Sequence, residues 1–288
     1  MSPLLQRMLP WLFLCVWSSG YAVAKLALEY TEPLNLLAYR YIGASLFVLP
    51  IIWYLRLSLP KWSQIKGLMA TGLFLHIGHF GTLYVGMKLG ASANIMALFA
   101  ASQPVLIILA SAAFIKQWPS WRVWLGLFLG LSGAAWVIGI DMQGQQGYLL
   151  GALLGFLAVL GMSVGQVIEK QRKMHIHPLM ATGVQYVFAM LVSIPLAWFV
   201  EGFAFTPEPT FFLATAHLSI VNTVVGIMLM FAMVRTGSLA QATSIMFLVP
   251  AVAALVAWPV AGETVPLSAI PGMILAMAGA IWTRRVST

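Results

Sequence analysis

Apolar residues fall in ten long blocks along this chain, with polar and charged residues collected between them. The blocks run roughly over 9–28, 34–55, 66–88, 91–115, 121–140, 147–169, 179–200, 210–234, 238–260 and 266–283. Each holds about the 20 apolar residues that a helix needs to cross the hydrocarbon of a bilayer. The pattern therefore predicts an all-α membrane protein of ten transmembrane helices. The punctuation agrees. Pro33 and Pro178 open the second and seventh blocks, where a helix tolerates a missing N–H. Lys88-Leu89-Gly90-Ala91-Ser92 and Arg235-Thr236-Gly237-Ser238 each place a glycine to end one helix and a serine to cap the next, as in a tight helical hairpin.

The pattern also repeats once. A shift of 145 carries Ser18, Gly20, Lys25, Pro33, Tyr41, Pro50 and Trp53 onto Ser163, Gly165, Lys170, Pro178, Tyr186, Pro195 and Trp198. With one inserted residue, a shift of 146 carries Pro104, Gly126, Gly133 and Trp136 onto Pro250, Gly272, Gly279 and Trp282. Residues 1–143 and 144–288 are then two five-helix repeats. An odd number of spans puts the second copy upside down relative to the first, and such proteins bind substrate between their copies near the midplane. The repeat also settles the N-terminus. Arg7, an apolar run and Ala22-Val23-Ala24 resemble a cleavable secretory signal, but the same stretch recurs deep inside the chain, so the first span is retained.

Composition sharpens the class. Of 288 residues, 61% are apolar and 8% charged, and the mean hydropathy is +0.94; a soluble domain is nearer a quarter charged. Almost nothing is left over for a soluble or catalytic appendage. The net charge of +8 is a topology signal rather than a nucleic-acid footprint. With the N-terminus in the cytoplasm, twelve basic residues, from Arg7, Arg56 and Lys61 to Arg235, Arg284 and Arg285, lie at the inner face. Only Lys25, Arg40 and Lys88 lie at the outer end, with Glu29, Glu32, Asp141, Glu201, Glu208 and Glu263. That positive-inside bias makes both termini cytoplasmic. Cys15 is the only cysteine, which excludes an internal disulfide and a cysteine metal site.

Polar residues inside the spans carry the candidate chemistry, because they are costly there and usually face a cavity or a partner. No Asp or Glu falls mid-span, which favours facilitated diffusion or histidine coupling over a carboxylate proton carrier. His76 and His79 share a face of the third span, and the repeat sets Asn222 opposite His76. Either they line a central site or they glue helices together. Trp17, Ser18 and Tyr21 on the first span match Met162, Ser163 and Gln166 on the sixth; Tyr41 and Tyr186 repeat beside Arg40 and Gln185. Trp17, at the centre of its span, reads as cavity-lining or as packed against lipid, whereas nine other tryptophans mark span ends. Arg40, near the outer end, fits a substrate carboxylate and a lipid headgroup equally. Lys25 and Lys170, at span ends, are expected to snorkel. Pro104 and Pro250 fall mid-span, as hinges for alternating access or as static bends. Stripes such as Gly126, Gly130 and Ala134, or Gly272 and Ala276, read as packing within the bundle and assign no oligomeric state.

Leu14-Cys15-Val16-Trp17-Ser18 leading to Lys25, Tyr39-Arg40-Tyr41 after Pro33, and Gly262-Glu263-Thr264-Val265-Pro266 running into Gly272 and Gly279 together resemble the ten-span, EamA-type members of the drug/metabolite transporter superfamily. Lys116-Gln117 stands where family members often carry an Arg-Glu pair. The resemblance implies two inverted five-helix halves around a central cavity, in the bacterial cytoplasmic membrane. It implies export of small metabolites, amino acids or drugs, with no cofactor and no enzymatic activity. The lack of any basic residue expected at mid-span argues against a phosphorylated substrate. Aromatic lining points to aromatic or bulky neutral amino acids, with a multidrug or other metabolite exporter as the alternative. A membrane enzyme with metal on His76, His79, His175, His177 and His217 is a remote one.

Overall fold

The computed structural model describes residues 3–115, 118, 120–141, 147–172, 176–235 and 248–287. Among them the chain is helical throughout, and its one β-type contact is a bridge between Thr31 and Phe205. The first half contains α1 (Pro3–Ala27), α2 (Pro33–Tyr54), α3 (Trp62–Gly72), α4 (Thr82–Lys88), α5 (Ala93–Ala100), α6 (Gln103–Ile115) and α7 (Trp121–Asp141). The second contains α8 (Tyr148–Arg172), α9 (Pro178–Glu201), α10 (Pro209–Ala216), α11 (Gly226–Arg235), α12 (Val249–Ala261) and α13 (Ile270–Ser287). Two π-helical segments, Leu73–Gly81 and His217–Val225, join α3 to α4 and α10 to α11 into continuous rods. The wider π turn is rare and is found mostly at functional sites. Six helical runs are long and apolar enough to cross a membrane: Met8–Ala27, Pro33–Tyr54, Trp62–Lys88, Tyr148–Glu169, Pro178–Glu201 and Pro209–Leu229. Trp121–Val137, Val249–Ala261 and Leu267–Gly279 are shorter apolar helices.

The largest packing interfaces join one half to the other. α2 lies on α9 and α7 on α13, while α1 leaves its own half to pack against α12 and the rod α10–α11. Reciprocally, α8 packs against α5, α6 and the rod α3–α4. Small residues permit the closest of these crossings. A Cβ on Gly279 would stand 2.5 Å from the Gly126 carbonyl oxygen and the Gly130 nitrogen, and one on Gly86 would stand 2.6 Å from the Gly151 carbonyl oxygen. With no hydrophobic drive between helices in lipid, such van der Waals contact between backbones is what holds them together. Large apolar side chains instead face outward. Trp53 is 81% exposed and Phe199 85%, as expected of a surface whose solvent is hydrocarbon.

Several local expectations change. Pro104 and Pro250 do not bend a continuous helix. The chain breaks after Ala100 and resumes at Gln103, so Pro104 sits in the first turn of α6, and Pro250 likewise opens α12. There its missing N–H has no helical partner to lose. Lys25 does not snorkel; its Nζ donates to the carbonyls of Met87 at 2.8 Å and Ala91 at 3.2 Å, tying α1 to the α4–α5 turn. That turn closes on Gly90 at φ 111° and on a cap from Ser92 to the Ile95 N–H. Residues 236–247, which hold the Gly237-Ser238 turn and the start of the predicted ninth span, lie outside the described residues, as do His175 and the side chain of Lys170.

At the end of the bundle where α1 meets α2, the second half grips the first. The Glu201 carboxylate accepts from the backbone N–H groups of Leu34 at 3.1 Å and Asn35 at 2.8 Å, the opening turn of α2. Glu263 does the same for Ala93 at 2.9 Å and Asn94 at 3.2 Å, the opening turn of α5. A carboxylate at a helix N-terminus satisfies orphan donors and complements the helix dipole. Each glutamate adjoins a left-handed glycine, Gly202 at φ 73° and Gly262 at φ 65°, which ends α9 and α12 respectively and leaves the glutamate at the helix end.

Candidate functional site

Successive residues on a helix point about 100° apart, so Tyr39, Arg40 and Tyr41 leave α2 in three directions. The Tyr39 hydroxyl reaches outward and donates to the Phe203 carbonyl at 2.8 Å. Tyr41 turns toward His76, with ring centroids 5.2 Å apart. Arg40 enters the centre of the bundle and is only 2% exposed. Its Nε donates to Thr223 Oγ1 at 2.7 Å, its Nη1 to the Tyr84 hydroxyl at 2.6 Å and its Nη2 to Asn222 Oδ1 at 3.2 Å. The Phe80 ring lies against the guanidinium, 3.7 Å from centroid to Cζ. Among the described residues no Asp or Glu pairs with it. Arg40 is therefore not a headgroup contact, and the expectation of a core without a buried basic residue is corrected. A buried guanidinium held by neutral oxygens and aromatic faces keeps its positive field.

Around Arg40 lies a cavity of about 10 Å³, lined by Trp17, Gly20, Tyr21, Arg40, His79, Phe80, Leu83, Tyr84 and Asn222. The lining comes from α1, α2, the first π segment and α4 in one half and from the second π segment in the other. That volume holds roughly one water, so the bundle is closed around its centre and any organic solute requires these helices to part. Asn222 braces the far wall, its Nδ2 donating to the Val16 carbonyl at 2.7 Å. Gly20 lets it in, since a Cβ there would fall 2.5 Å from Asn222 Nδ2. His79 sets its Nδ1 2.9 Å from the Ala158 carbonyl. A carbonyl only accepts, so Nδ1 carries the proton and, in the neutral ring, Nε2 keeps a lone pair.

The remaining sequence candidates divide. Trp17 and Tyr21 line the cavity with His79 and Asn222. His76 does not meet Asn222. Its Nε2 lies 3.1 Å from Gln185 Oε1 and its ring is wedged between Tyr41 and Tyr186, each 5.2 Å away. Tyr186 donates to the Thr223 carbonyl at 3.0 Å and so touches the floor beneath Arg40. Ser163 bonds back to the Val159 carbonyl at 2.8 Å within its own helix. Ser18 is buried away from the cavity, and Gln166 is half-buried on α8, also apart from it. His217 meets the Ser19 hydroxyl at 2.9 Å and His177 accepts from the Leu179 N–H at α9's start, so the described histidines are dispersed. Gly20, Phe80, Leu83 and Tyr84 were missed as cavity residues, and Arg40, read from the sequence as a substrate-carboxylate or headgroup contact near the outer end, lies instead at the centre. The repeat held a signal for Arg40, because its counterpart Gln185 is also polar. The two central contacts, Arg40 with Asn222 and Gln185 with His76, are the same contact seen in each copy at shifts of 145 and 146.

Tyr41 Oη, Ser45 Oγ, Thr71 Oγ1 and His76 Nδ1 are buried and have no hydrogen-bond partner among the described residues. They lie on α2, α3 and the first π segment; Ser18 Oγ, Asn35 Oδ1, Asn94 Oδ1 and Thr215 Oγ1 are in the same state elsewhere, Asn35 and Asn94 in the turns that Glu201 and Glu263 cap. Buried polar atoms without partners are rare in packed cores and mark places that water or a ligand reaches.

The sequence profile of the EamA-like transporter family matches residues 8–139 and, a second time, residues 149–285. An inner membrane transporter of Escherichia coli strain K12, YedA, is 25% identical over 252 residues, 86% of this chain and 80% of that protein. A probable amino-acid metabolite efflux pump of Salmonella typhimurium is 24% identical over 278 residues, covering 93% and 91%. A transporter of Bacillus subtilis, YvbV, is 24% identical over 267 residues, covering 90% and 85%. A solved crystal structure shares the fold over the whole of both chains, with a TM-score of 0.64 at 18% identity.

Proposed function

The chain belongs to the EamA-like transporter family, and we propose that it exports amino acids and related small metabolites across a bacterial cytoplasmic membrane. In this reading ten helices cross the bilayer as two inverted repeats, 1–143 and 144–288, with both termini in the cytoplasm. The observation that carries it is the cavity at Arg40. Side chains from both halves build its walls, and aromatic faces alternate there with a few donors. Solute enters from the cytoplasm past Thr71 and Ser45, reaches Arg40 and His79, and leaves when the end held by Glu201 and Glu263 opens. The break before Pro104 and the start of α12 at Pro250 give each half a joint about which to swing. Aromatic and bulky neutral amino acids fit Trp17, Tyr21 and Phe80. The Salmonella relative's name, a probable amino-acid metabolite efflux pump, supports the same reading.

The test is flux. Proteoliposomes holding the purified protein are expected to release labelled Phe, Trp, Met or Thr faster than protein-free vesicles, and Trp17→Ala or His79→Ala is expected to slow release without loss of folded protein. Release at the empty-vesicle rate for every amino acid would sink the reading. Normal rates in both variants would remove these two residues from the path.

A further inference from the structure

Arg40 has five N–H donors, and counting them shows what the cavity lacks. Nε is spent on Thr223, one Nη1 proton on Tyr84 and one Nη2 proton on Asn222. One N–H remains on each Nη, the number a carboxylate takes in a two-point pairing. Tyr84 adds a third donor, since its oxygen accepts from Arg40 while its own proton has no acceptor among the described residues. Thr223 offers nothing further, because its hydroxyl already donates to the Leu218 carbonyl at 2.6 Å. Asn222 likewise spends its amide on α1. The wall is thus rich in donors and positively charged, and its side-chain acceptors, His79 Nε2 and the Tyr21 hydroxyl, which takes the Trp17 indole N–H, are neutral.

We infer that Arg40 anchors the carboxylate of the transported solute, and that the carrier takes carboxylic acids whether or not they bear an amino group. This rests on the exporter reading above and narrows its substrate class. The seven acidic residues are the discriminating observation. Glu29, Glu32, Asp141, Glu169, Glu201, Glu208 and Glu263 all lie at helix ends or in connections, and none lines the cavity. An ammonium group therefore meets no negative charge there and shares the site with a guanidinium, so the amino group of an amino acid is tolerated rather than recognised. A phosphate dianion needs more than one cation in a dry site, and Arg40 is the only basic residue in the lining apart from His79.

The experiment compares four solutes of one shape: L-phenylalanine, 3-phenylpropionate, phenethylamine and phenylalaninamide. Each is used to shift the thermal unfolding of the detergent-purified carrier at fixed chloride, and each competes against labelled L-phenylalanine in proteoliposomes. The two carboxylates are expected to stabilise and compete, with 3-phenylpropionate at least as effective as phenylalanine. The two amines are expected to be weaker by roughly ten- to a hundred-fold, the usual worth of a charge-assisted pair. Arg40→Gln should erase the difference between acid and amine, and Arg40→Lys, which keeps charge without the fork, should restore part of it. If Arg40→Gln does not fold, the wild-type series decides. Equal response to phenethylamine and 3-phenylpropionate, or no response to either acid, overturns the anchor. Phenylalanine flux without acid selectivity leaves the exporter standing and removes the anchor. Acid-selective stabilisation without amino-acid flux keeps the anchor and removes the amino-acid reading.

Discussion

Gly20 shows how much of this site depends on single atoms. Its missing Cβ is the gap through which the Asn222 amide reaches both the α1 backbone and Arg40. Gly20→Ala must push that amide aside, since a Cβ would meet three of its atoms within 2.7 Å. The overpacking should cost about 1–3 kcal/mol and leave an Arg40 N–H without its acceptor. Transport is expected to fall several-fold with only a modest drop in melting temperature, read by flux and thermal unfolding side by side; unchanged flux would mean that Asn222 does not position Arg40. Trp17, Tyr21, His79 and Asn222 were legible as cavity residues because a polar or aromatic group at mid-span needs a reason to be there. Of Arg40 the sequence offered a substrate-carboxylate contact but not its central depth. Its place at the start of the third turn of α2 suggested the outer interface, and position along a helix says nothing of which way a long side chain points.

Helix ends explain the next scale. Pro33, Pro178 and the Gly90–Ser92 turn were readable because their chemistry is local: a fixed φ, a left-handed glycine, a serine cap. The caps that Glu201 and Glu263 provide come from about 170 residues away, and no window along the chain can show them. Glu201→Gln and Glu263→Gln should each cost about 1 kcal/mol, the typical value of a lost helix cap or dipole contact, measured as lowered melting temperatures that add when combined. Equal stability of the double variant would show that the contacts are incidental. The prolines misled for a related reason. Mid-block position implied mid-helix position, but a block of apolar residues can hold two helices, and Pro104 opens the second. Gly279→Leu tests the packing of α7 on α13. It should prevent the close crossing against Gly126 and Gly130 and lower yield of folded protein while leaving the composition of the cavity untouched; normal yield and melting would place that interface outside the determinants of the fold.

For the whole molecule, the two matches of one family profile and the reciprocal packing of α1 and α8 on the opposite half describe a protein built by interleaving. Neither half encloses the cavity alone, so separately expressed halves are expected to transport only when produced together. Recovery of flux from either half by itself would contradict an inter-half site. Reporter fusions at the two termini should both be active on the cytoplasmic side.

The grips of Glu201 and Glu263 have a further consequence, because both act at one end of the bundle. Their repeat counterparts at the other end are Arg56 and Gln117, neither of which carries a negative charge to offer a helix N-terminus. In the exporter proposed above, the two opposed mouths of the path would then be held shut with unequal strength. Such a carrier at rest would spend more of its time with the glutamate end sealed, and a solute arriving there would meet a competent site only in the fraction of molecules open at that end. Its apparent dissociation constant rises by the inverse of the fraction, while solute at the opposite face meets the site nearly unmodified. Half-saturation concentrations measured from the two sides of the membrane should differ accordingly, although the final distribution of solute does not.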